Sequence, residues 1–248
     1  MTEQRVAVVT GASSGIGRAI AVRFARQGIR VVAAGRNADE LAKLAGELPE
    51  LVRPVCGDVT DPGHPERLLA AAEKWEPASI LVVSAGHGLP GTVLGSDPDG
   101  WRDLVEVNYL AVLRQLRVGG EYFTGQAERD NGRRVRDIVV IGSTAGRQVS
   151  AANPVYGSTK FAVHSLVEAL RQEVCAHNIR VTLIEPGFVR SGFQETAGYD
   201  MAWFDKVTED NGPLLTPDDV AETVGFVVDR PAHVHLDDIR LRPTRQRV

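Results

Sequence analysis

Six short aliphatic runs, rich in β-branched residues, recur along this chain, each followed by a longer amphipathic segment. The runs are Arg5 to Thr10, Arg30 to Ala34, Val52 to Asp58, Ser79 to Ser84, Asp137 to Ile141 and Ile179 to Ile184. Their near-continuous apolar character predicts strands buried on both faces. The intervening segments are expected to be helical, roughly Ile16 to Gln27, Ala38 to Glu47, Pro65 to Trp75, Pro98 to Phe123, Pro154 to His177 and Pro217 to Val228. Alternation of this kind predicts an α/β chain with a doubly wound Rossmann fold, a parallel sheet flanked by helices on both faces. A last run, Asp238 to Pro243, offers one further edge strand. No internal repeat or Pro/Ser-rich linker divides the 248 residues, so 1–248 is expected to be one domain.

Composition excludes several functions. Apolar residues make up 43%, charged residues 24%, and the formal net charge is -4, a balance that gives no reason to expect nucleic acid as a partner. The opening Met1 to Arg5 runs straight into Val6-Ala7-Val8-Val9 without a secretory pattern, and no apolar stretch is long enough to span a bilayer. A cytoplasmic protein without membrane partners is expected. Cys56 and Cys175 are far apart and form no CxxC, so they read as small buried hydrophobes. His233 and His235 form an HxH with no third ligand at metal spacing, so no metal is expected. Arg240, Arg242, Arg245 and Arg247 alternate along the tail as the solvated face of an edge strand and a terminal arm, with a subunit contact as the functional alternative.

The first strand runs directly into Thr10-Gly11-Ala12-Ser13-Ser14-Gly15-Ile16-Gly17 and then a helix. Amides at a helix start can point at a pyrophosphate. Gly11 permits the turn, Gly15 lets the backbone approach phosphates, and Gly17 allows close helix–strand packing. The pattern TGxxxGxG is expected only about 0.01 times by chance. At the end of the second strand, where a carboxylate would hold the ribose 2′-hydroxyl of NAD, stand Gly35 and Arg36. A guanidinium can grip a 2′-phosphate bidentately, which favours NADP(H). Ser13, Ser14 and Arg18 can add donors, although Arg18 also reads as an ordinary exposed arginine. Asp58, beside Val59, can meet an adenine amine or simply cap a helix.

Tyr156 and Lys160 lie four residues apart near the start of a long segment introduced by Asn153 as N-cap and Pro154 at the first helical position, hence on one helix face. A nearby ammonium favours phenolate and is expected to lower the tyrosine pKa from its usual value near 10 toward a range useful for proton transfer. Ser143 closes the fifth predicted strand, where its hydroxyl can polarise a substrate oxygen or cap the strand end. Asn108 interrupts a helical stretch, consistent with a local kink that holds a water for proton relay.

Two irregular stretches, Gly86 to Asp97 and Gly187 to about Leu215, begin where predicted strands end and are candidate substrate walls. The second, with Phe188, Phe193, Tyr199, Trp203 and Phe204, reads as a lid containing a short helix, or as a long surface loop with its own apolar cluster. Arg147 and Gln148, just past Ser143, can meet an anionic or hydroxylated substrate or be plain loop polarity.

Taken together, Thr10 to Gly17, Asp58-Val59, Ser84-Ala85-Gly86, Asn108, Ser143, Tyr156 with Lys160, and Pro186-Gly187-Phe188-Val189-Arg190-Ser191 resemble the short-chain dehydrogenase/reductase family over essentially the whole length. The resemblance implies a sheet of about seven strands and a catalytic set of Asn108, Ser143, Tyr156 and Lys160. It also implies cofactor contacts from Ala85, Gly86, Tyr156, Lys160, Pro186, Gly187, Val189 and Ser191, and a homodimer or homotetramer. Val83-Ser84 departs from the family's Asn-Asn pair, and the tail lacks its common glycine-pair ending. That tail, with Gly142 to Gly146 and Tyr156 to Lys160, is similar to the branch of NADP-dependent 3-hydroxy acid dehydrogenases and clavulanate-dehydrogenase-like aldehyde reductases. The expected activity is NADPH-dependent reduction of a ketone or aldehyde of a small polar metabolite, with Tyr156 as proton donor. The rivals are an alcohol dehydrogenase working in the oxidative direction, or a dinucleotide-binding regulatory protein.

Overall fold

Each aliphatic run becomes a strand because its side chains find apolar partners above and below the chain. The structure, a computed structural model, describes residues 4–247. Among them, β1 (Val6–Thr10), β2 (Arg30–Gly35), β3 (Val52–Cys56), β4 (Ile80–Val83), β5 (Arg136–Ile141), β6 (Ile179–Pro186) and β7 (Asp238–Leu241) form one sheet in the order β3-β2-β1-β4-β5-β6-β7. Every pairing is parallel, with Val8 opposite both Val32 and Leu81 and Val139 opposite Val82 and Thr182. The sheet is doubly wound, as predicted.

The crossovers run through α1 (Gly15–Arg26), α2 (Ala38–Glu47), α3 (His64–Glu73), α4 (Trp101–Val105), α5 (Ala111–Asp130), α6 (Pro154–Val174) and α9 (Pro217–Val228), with α7 (Phe193–Thr196) and α8 (Met201–Asn211) after β6. Local chemistry starts several of them. The Asn37 side chain accepts from Glu40 N at 3.1 Å to open α2, and Thr216 with Asp219 forms a reciprocal capping box around Pro217 for α9. One apolar layer joins Phe24, Ile20, Leu41 and Val224 to one face of the sheet. A second joins Leu68, Leu116, Phe123 and Val167 to the other. At the amino ends of the strands, buried Asp137 receives Arg180 Nε at 2.7 Å and Arg5 Nη2 at 2.9 Å, while Arg180 also donates to the carbonyls of Val228, Arg230 and Val234. This clamp ties β1, β5, β6 and the end of α9 together.

Three expectations need correction. β3 is not buried on both faces: it is the sheet edge and exposes Pro54 and Cys56, consistent with proline's confinement to edges. Cys56 and Cys175 are both exposed rather than buried. The segment expected as one helix from 98 to 123 is instead a 3₁₀ turn, α4, a π turn at Glu106–Leu110, and α5 continuing to Asp130. That last helix stops where Asn131 takes a left-handed conformation (φ 53°).

Candidate active site

Because all seven strands are parallel, their carboxyl ends share one edge, and the order reverses between β1 and β4. Ligand crevices in such sheets open at that reversal. Here the turn 10–17 after β1 lies against residues 84–86 after β4. Thr10, fully buried, accepts from the amides of Ser84 and Ala85 at 3.2 and 3.4 Å and so braces the two strand ends. This is where the altered Val83-Ser84 pair finds its support: the backbone of Ser84, not its side chain, is held.

The turn fits a phosphate-bearing group. Gly11 has φ +70°, and a Cβ there would stand 3.0 Å from the Ala85 backbone; a Cβ on Gly17 would be driven into the Gly11 carbonyl. Only glycine allows helix, turn and neighbouring loop to approach this closely. Ser14 is the N-cap of α1, yet no side chain caps the helix and no acidic residue occupies its first turn, which leaves amide donors available to an anion. Ile16 packs inward against the core, and Ser191 lies beside Gly15, 3.9 Å from where a Cβ would be. At the end of β2, Ser13 Oγ fills the space beside Gly35, where a Cβ would be 2.8 Å from it. Arg36 next to it is exposed and makes no ion pair among the described residues. Arg18, by contrast, is paired with Glu47 at 2.7 Å. Asp58 accepts from Thr60 N and Oγ at 2.9 and 2.8 Å, bonds that hold its carboxyl below the ordinary range, with Arg36 a lesser contributor. Val59 packs with Val107, Ala111 and Ala85 along the crevice.

Beyond β4 and β5 the four polar residues converge. Asn108 sits in the π turn, 1% exposed, where its Oδ1 accepts from His87 N at 3.0 Å and its Nδ2 donates to His87 O at 2.8 Å. It clamps the loop after β4, and a Cβ on Gly86 would lie 3.2 Å from its Oδ1 and 3.8 Å from Lys160 Nζ. Lys160 donates to Ile141 O at 3.2 Å and lies 5.7 Å from the centre of the Tyr156 ring. Ser143 both caps the short turn Thr144–Gly146, accepting from Ala145 N at 3.1 Å, and presents its hydroxyl to the Tyr156 phenol. Asn153 is the N-cap of α6, but its amide caps nothing; it donates to Tyr199 Oη at 2.8 Å instead.

The electrostatics correct one expectation. Burial pushes the Tyr156 phenol well above its ordinary pKa, opposed by Ser143, and Lys160 does not bring it down. Burial lowers Lys160 itself to about 8. Of the two readings of Arg147, substrate contact loses support: the exposed guanidinium is held bidentately by fully buried Glu185 (Nε to Oε2 3.0 Å, Nη2 to Oε1 2.7 Å) and by Asp238.

Pro186 ends β6; Gly187 N donates to Leu241 O at 2.8 Å and Phe188 N to Gln246 Oε1 at 2.9 Å. Val189 bridges to Leu215, and α7 and α8 fill the stretch between. Sequence reasoning missed His164. Its Nε2 accepts from Ser143 N at 3.5 Å, and burial lowers it to about 4, so the ring is neutral. The signal was present, since Tyr156, Lys160 and His164 recur every four residues along one face of α6. His235 Nε2 is hydrogen-bonded to Val181 O at 3.1 Å.

A sequence profile of the short chain dehydrogenases matches residues 5–202. An uncharacterized oxidoreductase of Staphylococcus epidermidis is 31% identical over 242 residues, which cover 97% of this chain and 98% of the relative. Among solved structures, the closed form of serine dehydrogenase complexed with NADP+ superposes with a TM-score of 0.89 at 31% identity, covering 98% of this chain and 96% of that one. The 3-ketoacyl-(acyl-carrier-protein) reductase from Brucella melitensis complexed with NADH gives 0.86 at 27% identity, over 99% of both.

Proposed function

This chain belongs to the short chain dehydrogenase family, and on that footing we propose that it reduces a ketone or aldehyde to the alcohol with NADPH, Tyr156 supplying the proton. The observation that carries the reading is the meeting of Ser143, Tyr156 and Lys160 beside the glycine turn, at the carboxyl edge of the sheet. NADPH, when bound, supplies the hydride. The uncapped start of α1, the turn 11–17 and the loop 186–191 would hold its phosphates and nicotinamide end, and Ser13, Gly35 and Arg36 the 2′-phosphate. A carboxylate at position 35 would repel that phosphate; glycine with a following arginine does not.

The Ser143 hydroxyl fixes the carbonyl oxygen and stabilises the charge that develops there. The Tyr156 phenol, kept protonated at neutral pH by its burial, gives its proton to that oxygen. An alkoxide is a much stronger base than a phenolate, so the transfer is downhill. Lys160, with its pKa lowered to about 8, is mostly ammonium at pH 7 and stands 5.7 Å from the centre of the Tyr156 ring, where it would hold the nicotinamide ribose. Asn108 keeps the loop carrying Gly86 against Lys160. Residues 187–215 are read as a lid over this site, within a single domain, 1–248. We extend to this chain the homodimer or homotetramer usual in the family. No helix of the described residues is long and apolar enough to cross a membrane, and we place the enzyme in the cytoplasm.

The test is Tyr156→Phe. Turnover on a carbonyl panel with NADPH should fall by at least about a hundredfold while NADPH affinity stays within about twofold. Turnover retained by the phenylalanine variant would refute the assignment.

A further inference from the structure

The wall facing the proposed proton donor is made of rings. Phe193 lies edge-on to Tyr156, with centroids 6.0 Å apart and planes at 63°. Tyr199 follows at 6.5 Å from Phe193 and stacks on Trp203 at 6.2 Å and 25°. Asn153 fixes the outer end of the Tyr199 ring through its 2.8 Å bond to the phenol oxygen. These rings come down onto the loop after β4: a Cβ on Gly88 would stand 2.7 Å from Tyr199 Cε2 and 3.0 Å from Phe193 Cε1. The ring-lined side of Tyr156, bounded by Phe193, Tyr199 and the loop at Gly88, is apolar and is termed the slot.

Acidic residues around the slot outnumber basic ones. Residues 187–215 carry Glu195, Asp200, Asp205, Glu209 and Asp210 against Arg190 and Lys206, a net of -3. Residues 86–97 add Asp97 and no lysine or arginine. Arg147 is consumed by Glu185 and Asp238, and Arg190 Nη2 donates to Thr208 Oγ1 at 3.1 Å. Apart from Lys160 at the reacting centre and the outnumbered Arg190 and Lys206, a carboxylate or phosphate on a substrate would therefore meet a net negative surround and an unfavourable field.

Resting on the carbonyl-reductase reading above, we propose that the substrate is a neutral aryl or aryl-alkyl carbonyl compound, and that Phe193 and Tyr199 select it. The flat substituent lies against the two rings, where offset or edge-to-face contact rewards an aromatic group over a short aliphatic one. This departs from a small polar or carboxylated metabolite.

Steady-state kinetics with NADPH on benzaldehyde, 4-carboxybenzaldehyde and propanal tests the proposal. The expected kcat/KM for benzaldehyde exceeds each of the others by at least about tenfold, although the para carboxylate does not make the carbonyl less electrophilic. Tyr199→Phe should keep the preference over propanal; Tyr199→Ala should reduce it to less than about threefold. A second readout needs no turnover: calorimetry on the Tyr156→Phe chain loaded with NADP+, in which benzyl alcohol should bind at least about tenfold tighter than 4-(hydroxymethyl)benzoate. Equal or better turnover of 4-carboxybenzaldehyde or propanal overturns the slot proposal and leaves carbonyl reduction standing. Tight benzyl alcohol binding with no carbonyl turnover in the unmodified chain supports the slot and overturns the reductase reading. Absence of both the kinetic and the binding preference overturns the slot proposal.

Discussion

Replacing Arg36 with alanine should weaken NADPH and spare NADH, and the structure sets the size of the effect. Arg36 is exposed at the end of β2, beside Gly35 and Ser13, and has no ion-pair partner among the described residues. Removing it orphans no buried group, so the free chain should change in stability by no more than about 0.5 kcal/mol. Asp58 loses a minor favourable cation, but its carboxyl is held mainly by Thr60. What disappears is one charged hydrogen-bonding partner of the 2′-phosphate, worth about 1.5–3 kcal/mol, or roughly 10- to 150-fold in affinity. Exposure makes that figure sensitive to salt, so the gap should narrow between about 0.05 and 0.5 M ionic strength. The assay is fluorescence titration of both nucleotides into both proteins, with melting as a fold control. NADH lacks the 2′-phosphate and should shift by less than about twofold. Equal losses for the two nucleotides, or none for NADPH, would refute the reasoning about Gly35 and Arg36.

Other perturbations report on other parts of the site. Lys160→Met should abolish turnover yet stabilise the chain. Burial lowers the folded lysine to about 8 from 10.5, so its charge is disfavoured in the fold by about 3 to 3.5 kcal/mol below pH 8, a cost that fades as pH rises through 8 toward 10.5. Urea melts at pH 6.5 and pH 10 should show a clear gain at the first and less than about 1 kcal/mol at the second; a loss at pH 6.5 would contradict it. Arg147→Met leaves Glu185 buried and unpaired, at a cost of about 2–3 kcal/mol after allowing for the partly exposed arginine, or a melting drop of about 5–10 °C. Because burial raises the Glu185 pKa, the deficit should shrink as pH falls and the carboxyl protonates; a deficit that grows in acid would be wrong for this cause. Gly17→Ala forces a methyl into the Gly11 carbonyl and should weaken NADPH and NADH alike, by about 1–3 kcal/mol, in the same titrations. A loss confined to NADPH would contradict that.

Strands and the glycine turn were legible because their causes are local: aliphatic runs, and a backbone path that only glycine can follow. The register that brings Thr10 to Ala85, and hence the turn to the second loop, is carried by long-range pairing that no single segment encodes. Edge position illustrates the limit. Val52 to Cys56 reads like the central strands in its alternating aliphatics, and Pro54 was the available sign that one edge had to stay unpaired. Spacing put Tyr156 and Lys160 on one face of α6, but spacing does not contain burial. Desolvation therefore reversed the expected direction of the Tyr156 pKa and turned Lys160 into a group disfavoured in its charged form. The pairing of Arg147 was not legible for a related reason: its partners Glu185 and Asp238 lie 38 and 91 residues away.

The stretch Gly142-Ser143-Thr144-Ala145-Gly146 shows how such distant partners shape the local sequence. Cβ atoms on either glycine would strike the His164 ring, at 2.6 Å for Gly142, so both glycines make room for one imidazole. That ring stays neutral because burial, Arg147 and Lys160 all oppose its charge, and neutrality leaves Nε2 free to accept from Ser143 N. Glu185 Oε2 lies 3.8 Å from Nδ1 on the far side, where it favours the tautomer that keeps the acceptor facing the serine. The Ser143 amide is thus met by a histidine one helix away, near a carboxylate on β6 that Arg147 holds. The hydroxyl proposed to meet a substrate oxygen is placed in part by residues 21 positions and more away in the chain.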